Sequence, residues 1–262
     1  MQPEASPLLE VRGLTLQYKT QDSLVTATWR VDLTVEAADR FVILGPSGCG
    51  KSTLLKAIGG FMAAAEGSIA LRGCPVTRPG PDRMMVFQEF EQLMPWKTVL
   101  GNVLFPMHAT GRFRGRDASE RARAILEKVQ LAHFADAYPH MLSGGMKMRV
   151  AIARAMAMEP DILLMDEPFA ALDALTRRTM QEELMGLWDQ LRFTVMFVTH
   201  SIEEAVLIGS RILVLSPHPG RVRAELNSDG FRHRGTDDPT IGRLARRIHS
   251  LLFDAAVAED AA

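Results

Sequence analysis

Apolar and polar positions alternate near the start of the chain, at Leu9, Val11, Leu14, Leu16 and then Tyr18. A period of two predicts strands over about 9–17 and 24–36, joined by a turn around Gln21–Asp22. Phe41–Leu44 is a short apolar run ending in a glycine loop, the pattern of a strand buried on both faces. A helix is predicted over Lys51–Met62, and further short strands over Ser68–Leu71 and Met84–Phe87. Residues 97–158 read mostly as helix, broken at Gly111–Gly115 and Tyr138-Pro139. Within them, Ala118, Ala122, Ile125, Leu126 and Val129 fall at helical spacing. Strand and helix then alternate: Ile162–Met165, Ala174–Leu191, Phe193–Val198, Ile202–Ile208 and Ile212–Leu215. This alternation predicts an α/β fold with a mostly parallel sheet, an antiparallel β subdomain at the start and an inserted helical subdomain. Beyond Ser216 the signal weakens until Gly242–Phe253, where Leu244, Ile248, Leu251 and Leu252 form the stripe of an amphipathic helix.

Composition narrows the function. The 262 residues are 47% hydrophobic and 23% charged, which is ordinary globular usage. A net charge of −1 disfavours a nucleic-acid-coating surface, so no nucleic-acid partner is expected. Two cysteines, Cys49 and Cys74, match no zinc spacing and build no disulfide framework, which suits a reducing cytoplasm. The first residues lack a basic and an apolar region, so no signal peptide is expected. The longest nearly apolar run, Ala57–Ala65, falls far short of the roughly 20 residues of a spanning helix. The 15 methionines read as flexible core packing rather than a copper site.

The chemistry begins at Gly45-Pro46-Ser47-Gly48-Cys49-Gly50-Lys51-Ser52-Thr53, which fits the phosphate-loop pattern. Glycines let the backbone fold tightly so that N–H groups face phosphate oxygens, and the following helix offers its positive end to the same anion. Lys51 is then expected at the β- and γ-phosphates and Ser52 on Mg²⁺. Cys49, inside the loop near a helix N-terminus, is expected to react with thiol reagents. Ile162–Met165 leads into Asp166 and Glu167 at a carboxyl sheet edge, where ligands bind in open α/β folds. Asp166 is expected to hold Mg²⁺ and Glu167 to deprotonate the attacking water. Neither Asn102 nor Asn227 is followed by Lys, which disfavours a guanine-reading GTPase.

Leu142-Ser143-Gly144-Gly145-Met146, with Lys147-Met148-Arg149 behind it, resembles the signature sequence of the ATP-binding-cassette (ABC) ATPases. Further matches follow in that family's order: Gln88 after the strand Met84–Phe87, Ala171-Leu172-Asp173 after the acids, His200 after Phe193–Val198, and Tyr18 after the first strand. The resemblance spans about residues 8–216 and implies a P-loop NTPase fold, ATP and Mg²⁺ as cofactors, and ATP hydrolysis. It further implies that Gln88 senses the γ-phosphate or Mg²⁺, that His200 contacts the γ-phosphate and that Asp173 makes a contact across a dimer. Tyr18 would stack on adenine, with a core tyrosine as the alternative. Ser143 N-caps a helix running to about Met158, and Gly144 and Gly145 leave N–H groups unobstructed, a second anion site on the same chain. In the resembled family two copies pair head to tail around ATP.

Met146 stands where Gln is commoner, Met148 replaces another Gln, and Ser201 follows the switch His where Asp is common. None of these positions is assigned to phosphate, base or metal. The Met, with Asp166–Arg177 and Thr199–Val206, is similar to the nitrate/sulfonate/taurine importer branch. That resemblance implies a peripheral subunit on the cytoplasmic face of the bacterial inner membrane. Its partners would be separate permease subunits and, indirectly, a periplasmic solute-binding protein, with import of a small anion as the outcome. A soluble non-transport ABC ATPase is the alternative. Phe90, Leu93, Met94, Pro95 and Trp96 are either a docking groove for the permease or a cap on the helical subdomain. Arg243, Arg246 and Arg247 read as a solvated face, with anionic lipid as the other option. The expected division is an ABC ATPase domain over 1–226, with the helical subdomain at about 89–158 inserted, and a short helical tail over 227–262.

Overall fold

The structure is a computed structural model and describes residues 6–19, 23–87, 92–229 and 239–253. The chain divides into two compact units, one formed by residues up to Pro79 together with those from Thr194 onward, the other by Gly80–Phe193.

In the first unit β1 (Leu9–Lys19) pairs antiparallel with β2 (Leu24–Val35) on one side and β4 (Glu66–Leu71) on the other, and the two-residue β5 (Cys74–Pro75) extends the sheet. The alternation read in the sequence becomes register here: Leu9, Val11, Leu14 and Leu16 are buried while Arg12 and Lys19 are exposed. A second sheet centres on β3 (Arg40–Leu44), buried at every position. It runs parallel to β8 (Val195–Thr199) and to β9 (Arg211–Leu215), with β10 (Val222–Asn227) antiparallel on β9. A strand flanked on both sides and covered on both faces has no use for polar side chains, which is why the Phe41–Leu44 run is unbroken.

Helix α1 (Lys51–Ile58) is shorter than the predicted Lys51–Met62. Gly60 ends it: its φ is +80°, and an added Cβ would lie 2.4 Å from the Arg78 carbonyl, so only glycine lets the chain turn there. Helix α6 (Ile202–Ile208) packs on β3 and β8, and α7 (Pro239–Phe253) packs on α6 and β9. Leu244, Ile248 and Leu252 form the buried stripe of α7, each contributing about 1.5–3 kcal/mol by burial. Arg223 donates to the Leu251 and Leu252 carbonyls at the helix's far end, at 2.6 and 3.5 Å. Arg243, Arg246 and Arg247 are exposed, which both readings of this helix face require.

In the second unit β6 (Arg83–Val86) runs parallel to β7 (Ile162–Asp166). The helical stretch resolves into α2 (Val99–Thr110), α3 (Gly115–Lys128) and α4 (Gly144–Met156), with two 3₁₀ turns, Ala132–Phe134 and Pro139–Met141, between α3 and α4. Helix α5 (Ala174–Leu191) closes the unit. Asn102, fully buried on α2, accepts from Met94 N and donates to the carbonyls of Met94, Lys97 and Thr98, so it fixes the turn that precedes its own helix. Among the described residues, no helix is long and apolar enough to cross a membrane.

Candidate nucleotide site

The phosphate loop leaves β3 at Gly45 and enters α1 at Lys51. Gly50 caps α1 in the left-handed conformation, φ +97°, with no side-chain hydrogen bond at the cap. A Cβ there would lie 2.5 Å from the Ala27 carbonyl of β2, so the backbone runs closer to that strand than any side chain permits. Lys51 is buried, and its Nζ donates to the carbonyls of Gly45 and Pro46 at 2.8 and 3.0 Å. The lysine therefore reaches back across the loop and places its charge within the loop's curl, where an anion's phosphates would be received. Ser52 and Thr53 follow on the first turn of α1, both half-buried.

His200 follows the last residue of β8. Leu44 and Thr199 are register partners, so the phosphate loop and His200 leave adjacent parallel strands at the same level. The imidazole is exposed while Thr199 is buried. Tyr18, on β1 opposite Val25, is 44% exposed, so it is not a core tyrosine. Cys49 departs from expectation. It is fully buried, with Sγ 2.7 Å from where a Gly45 Cβ would stand, so the thiol faces inward rather than toward reagents.

The second unit holds the remaining predicted residues. Asp166 ends β7 and Glu167 follows it with φ 44°, a left-handed conformation that costs a non-glycine residue about 1–2 kcal/mol. The Glu167 carbonyl accepts from Ala170 N at 3.1 Å, which closes the turn. Strain of this kind gathers at functional sites. Met165 pairs with Val86, so β6 and β7 run out at the same level. Gln88 and Phe90 lie outside the described residues. Gln92 receives Phe87 N and donates to Phe87 O, at 3.3 and 2.8 Å, so the chain on either side of residues 88–91 is tied together. Arg154 of α4 then donates to Gln92 O at 2.6 Å, and burial pushes its guanidinium pKa down. Leu93 is buried, whereas Trp96 is 72% exposed, so the predicted apolar group splits into an inward anchor and an outward ring.

Ser143 caps α4, its hydroxyl accepting from Met146 N at 3.3 Å, with Gly144 and Gly145 in the first turn. Asp173 caps α5, accepting from Thr176 N at 3.0 Å; that hydrogen bond holds its carboxyl below the usual range. A Cβ on Gly145 would stand 3.2 Å from Thr176 Cγ2, so the two capped ends pack side by side. Met148 is completely buried, a packing residue where the family's pattern has Gln. Hydropathy gives no signal for Gln92, Arg154 or Asn102, because each is a polar group satisfied by backbone.

Residues 29–170 match the ABC transporter family model, described as "ABC transporter". The taurine import ATP-binding protein TauB of Rhizobium johnstonii is 51% identical over 208 residues, 79% of this chain and 79% of that protein. The bicarbonate transport ATP-binding protein CmpD of Synechocystis is 37% identical over 266 residues, 99% of this chain and 94% of that protein. Among solved structures, the dimeric bacterial ABC transporter cassette MJ0796 superposes with a TM-score of 0.72 at 33% identity, covering 84% of this chain and 98% of its own. The same cassette in a post-hydrolysis state with ADP and phosphate gives 0.70 at 32%, over 84% of this chain and 98% of that one. With these matches over most of its length, the chain belongs to the ABC transporter family, as an ATP-binding subunit of its taurine/nitrate/bicarbonate importer branch.

Proposed function

We propose that two copies of this chain clamp ATP between the phosphate loop of one and the Ser143–Gly145 turn of the other, and that hydrolysis drives anion uptake through a separate permease. The observation that carries the reading is the Leu44–Thr199 register, which sends the phosphate loop and His200 off one sheet edge together. Lys51 and the loop N–H groups hold the phosphates, Tyr18 stacks on adenine, and His200 contacts the γ-phosphate. Ser52 and Asp166 are hard oxygen donors, half-buried at a helix start and a strand end, and so fit Mg²⁺, which keeps several waters and needs few protein ligands. The cation would neutralise charge on the β- and γ-phosphates; Gln88 would sense the γ-phosphate or the cation. Glu167 orients and deprotonates the attacking water, and Asp173 contacts the second copy.

In the same reading, residues 1–226 form the ATPase domain, with the 89–158 helical insert facing the permease, and 227–262 form a tail. Trp96 and its neighbours are the docking group. The subunit lies on the cytoplasmic face of the inner membrane and meets a periplasmic binding protein only through the permease. Names of relatives that import taurine and bicarbonate support an anionic or sulfonate-bearing solute. The test is phosphate release from ATP by the full chain with its permease. Glu167→Gln should lower turnover by about 10²-fold or more while ATP still binds, as loss of a general base requires. Equal rates for the two proteins would remove Glu167 as the base.

A further inference from the structure

We infer that Glu204 is a positioning residue for His200, acting through Thr199 and Ser201; the inference rests on the role proposed above for His200. Thr199 is 1% exposed and Glu204 8%. The Thr199 hydroxyl donates to Glu204 Oε2 at 2.6 Å, and Thr199 Oγ1 accepts from Ser201 N at 3.0 Å. Ser201 Oγ accepts from Glu204 N at 3.3 Å, capping α6. The three residues form a closed ring of hydrogen bonds, and His200 is the one residue between its two backbone anchors.

The ring is more than a helix cap. In an ordinary Ser-x-x-Glu box the glutamate side chain returns directly to the N-cap N–H. Here the Thr199 hydroxyl takes that N–H and passes its own proton toward the glutamate. The cap therefore extends backward to the end of β8, whose partner Leu44 leads into the phosphate loop. Rotation about the backbone on either side of His200 breaks a bond to a buried polar group, which is costly because water cannot replace the partner. The exposed imidazole is thus aimed by buried neighbours, and Glu204 holds the ring closed.

The inference is tested on the full chain with its permease, comparing wild type, Glu204→Ala, Glu204→Gln, Thr199→Val and His200→Ala. Turnover and KM for ATP are measured with the permease. The ¹H–¹³C signal of the His200 ring, assigned from its loss in His200→Ala, is followed in the purified chain. Glu204→Ala and Thr199→Val should each lower kcat at least fivefold with KM within twofold, and should shift or broaden the His200 signal. Glu204→Gln keeps an acceptor for the Thr199 hydroxyl and should retain more than half of wild-type turnover with an unmoved signal. An unchanged His200 signal in Thr199→Val would overturn the inference, even if Glu204→Ala failed to fold. A Glu204→Gln protein as impaired as Thr199→Val would also overturn it. Wild-type turnover in His200→Ala would instead remove the role of His200, which is a separate result.

Discussion

Three glycine-to-alanine substitutions, identical in chemistry, should move stability by different amounts and in different directions. Gly50 has φ +97° and an added Cβ would stand 2.5 Å from Ala27 O. Gly48 has φ +80° but its Cβ would meet nothing within 4 Å. Gly186 sits inside α5, and its Cβ likewise meets nothing. The left-handed conformation costs an alanine about 1–2 kcal/mol, and that is the whole cost at Gly48. At Gly50 the Ala27 carbonyl must move as well. That carbonyl accepts Gly220 N at 2.9 Å, so a hydrogen bond of about 1 kcal/mol is put at risk, giving about 2–3 kcal/mol in all. At Gly186 alanine removes a helix penalty of about 0.5–1 kcal/mol and so stabilises. With roughly 2–4 °C per kcal/mol for a chain of this size, Gly48→Ala should lower Tm by about 2–8 °C and Gly50→Ala by more. Gly186→Ala should raise it by about 1–4 °C. Thermal denaturation without nucleotide reads all three, which keeps phosphate contacts out of the comparison. If Gly50→Ala melted with Gly48→Ala, or Gly186→Ala melted below wild type, the reasoning from Cβ space would be refuted.

Two more outcomes follow from burial and from charge. In the native protein an aromatic disulfide reagent should modify Cys74 promptly and Cys49 only as the fold opens, because one thiol is exposed and the other buried; two equal rates would contradict the inward placement. Asp173 has a carboxyl pKa held low by Thr176 N, so its stabilisation is complete above about pH 4, the unfolded value, and is lost as pH falls through the lower folded one. Asp173→Asn still accepts from Thr176 N, so it should match wild type at pH 7 and flatten the acid limb of the stability curve; an unchanged limb would count against this account.

The strands and helices that could be read in the sequence are those whose burial is one-sided or complete. The Phe41–Leu44 run of β3 is unbroken because both faces are covered, and α7 shows its stripe because one face is solvent. β10 escaped notice because only Leu226 of its six residues is buried; its place comes from pairing with β9, which local pattern does not record. β8 begins at Val195 rather than Phe193, since the Phe193 carbonyl is taken by Trp188 Nε1 and the chain is still leaving α5. The phosphate loop, the acids and the signature were legible because each needs fixed residue types at fixed spacing. The polar supports behind them, Asn102, Arg154 and the Thr199–Glu204 pair, were not, although the Ser201-x-x-Glu204 spacing was a capping signal in plain view. Cys49 shows the limit of motif reading, since membership of the loop says nothing about which way the thiol faces.

The central claim is that ATP is the joint between two copies of the chain. Sedimentation of Glu167→Gln with ATP and Mg²⁺, where the proposed role of Glu167 predicts slow turnover, measures it directly. The account predicts a mass that doubles with ATP and falls back to one copy with ADP. A single copy under both conditions would contradict it.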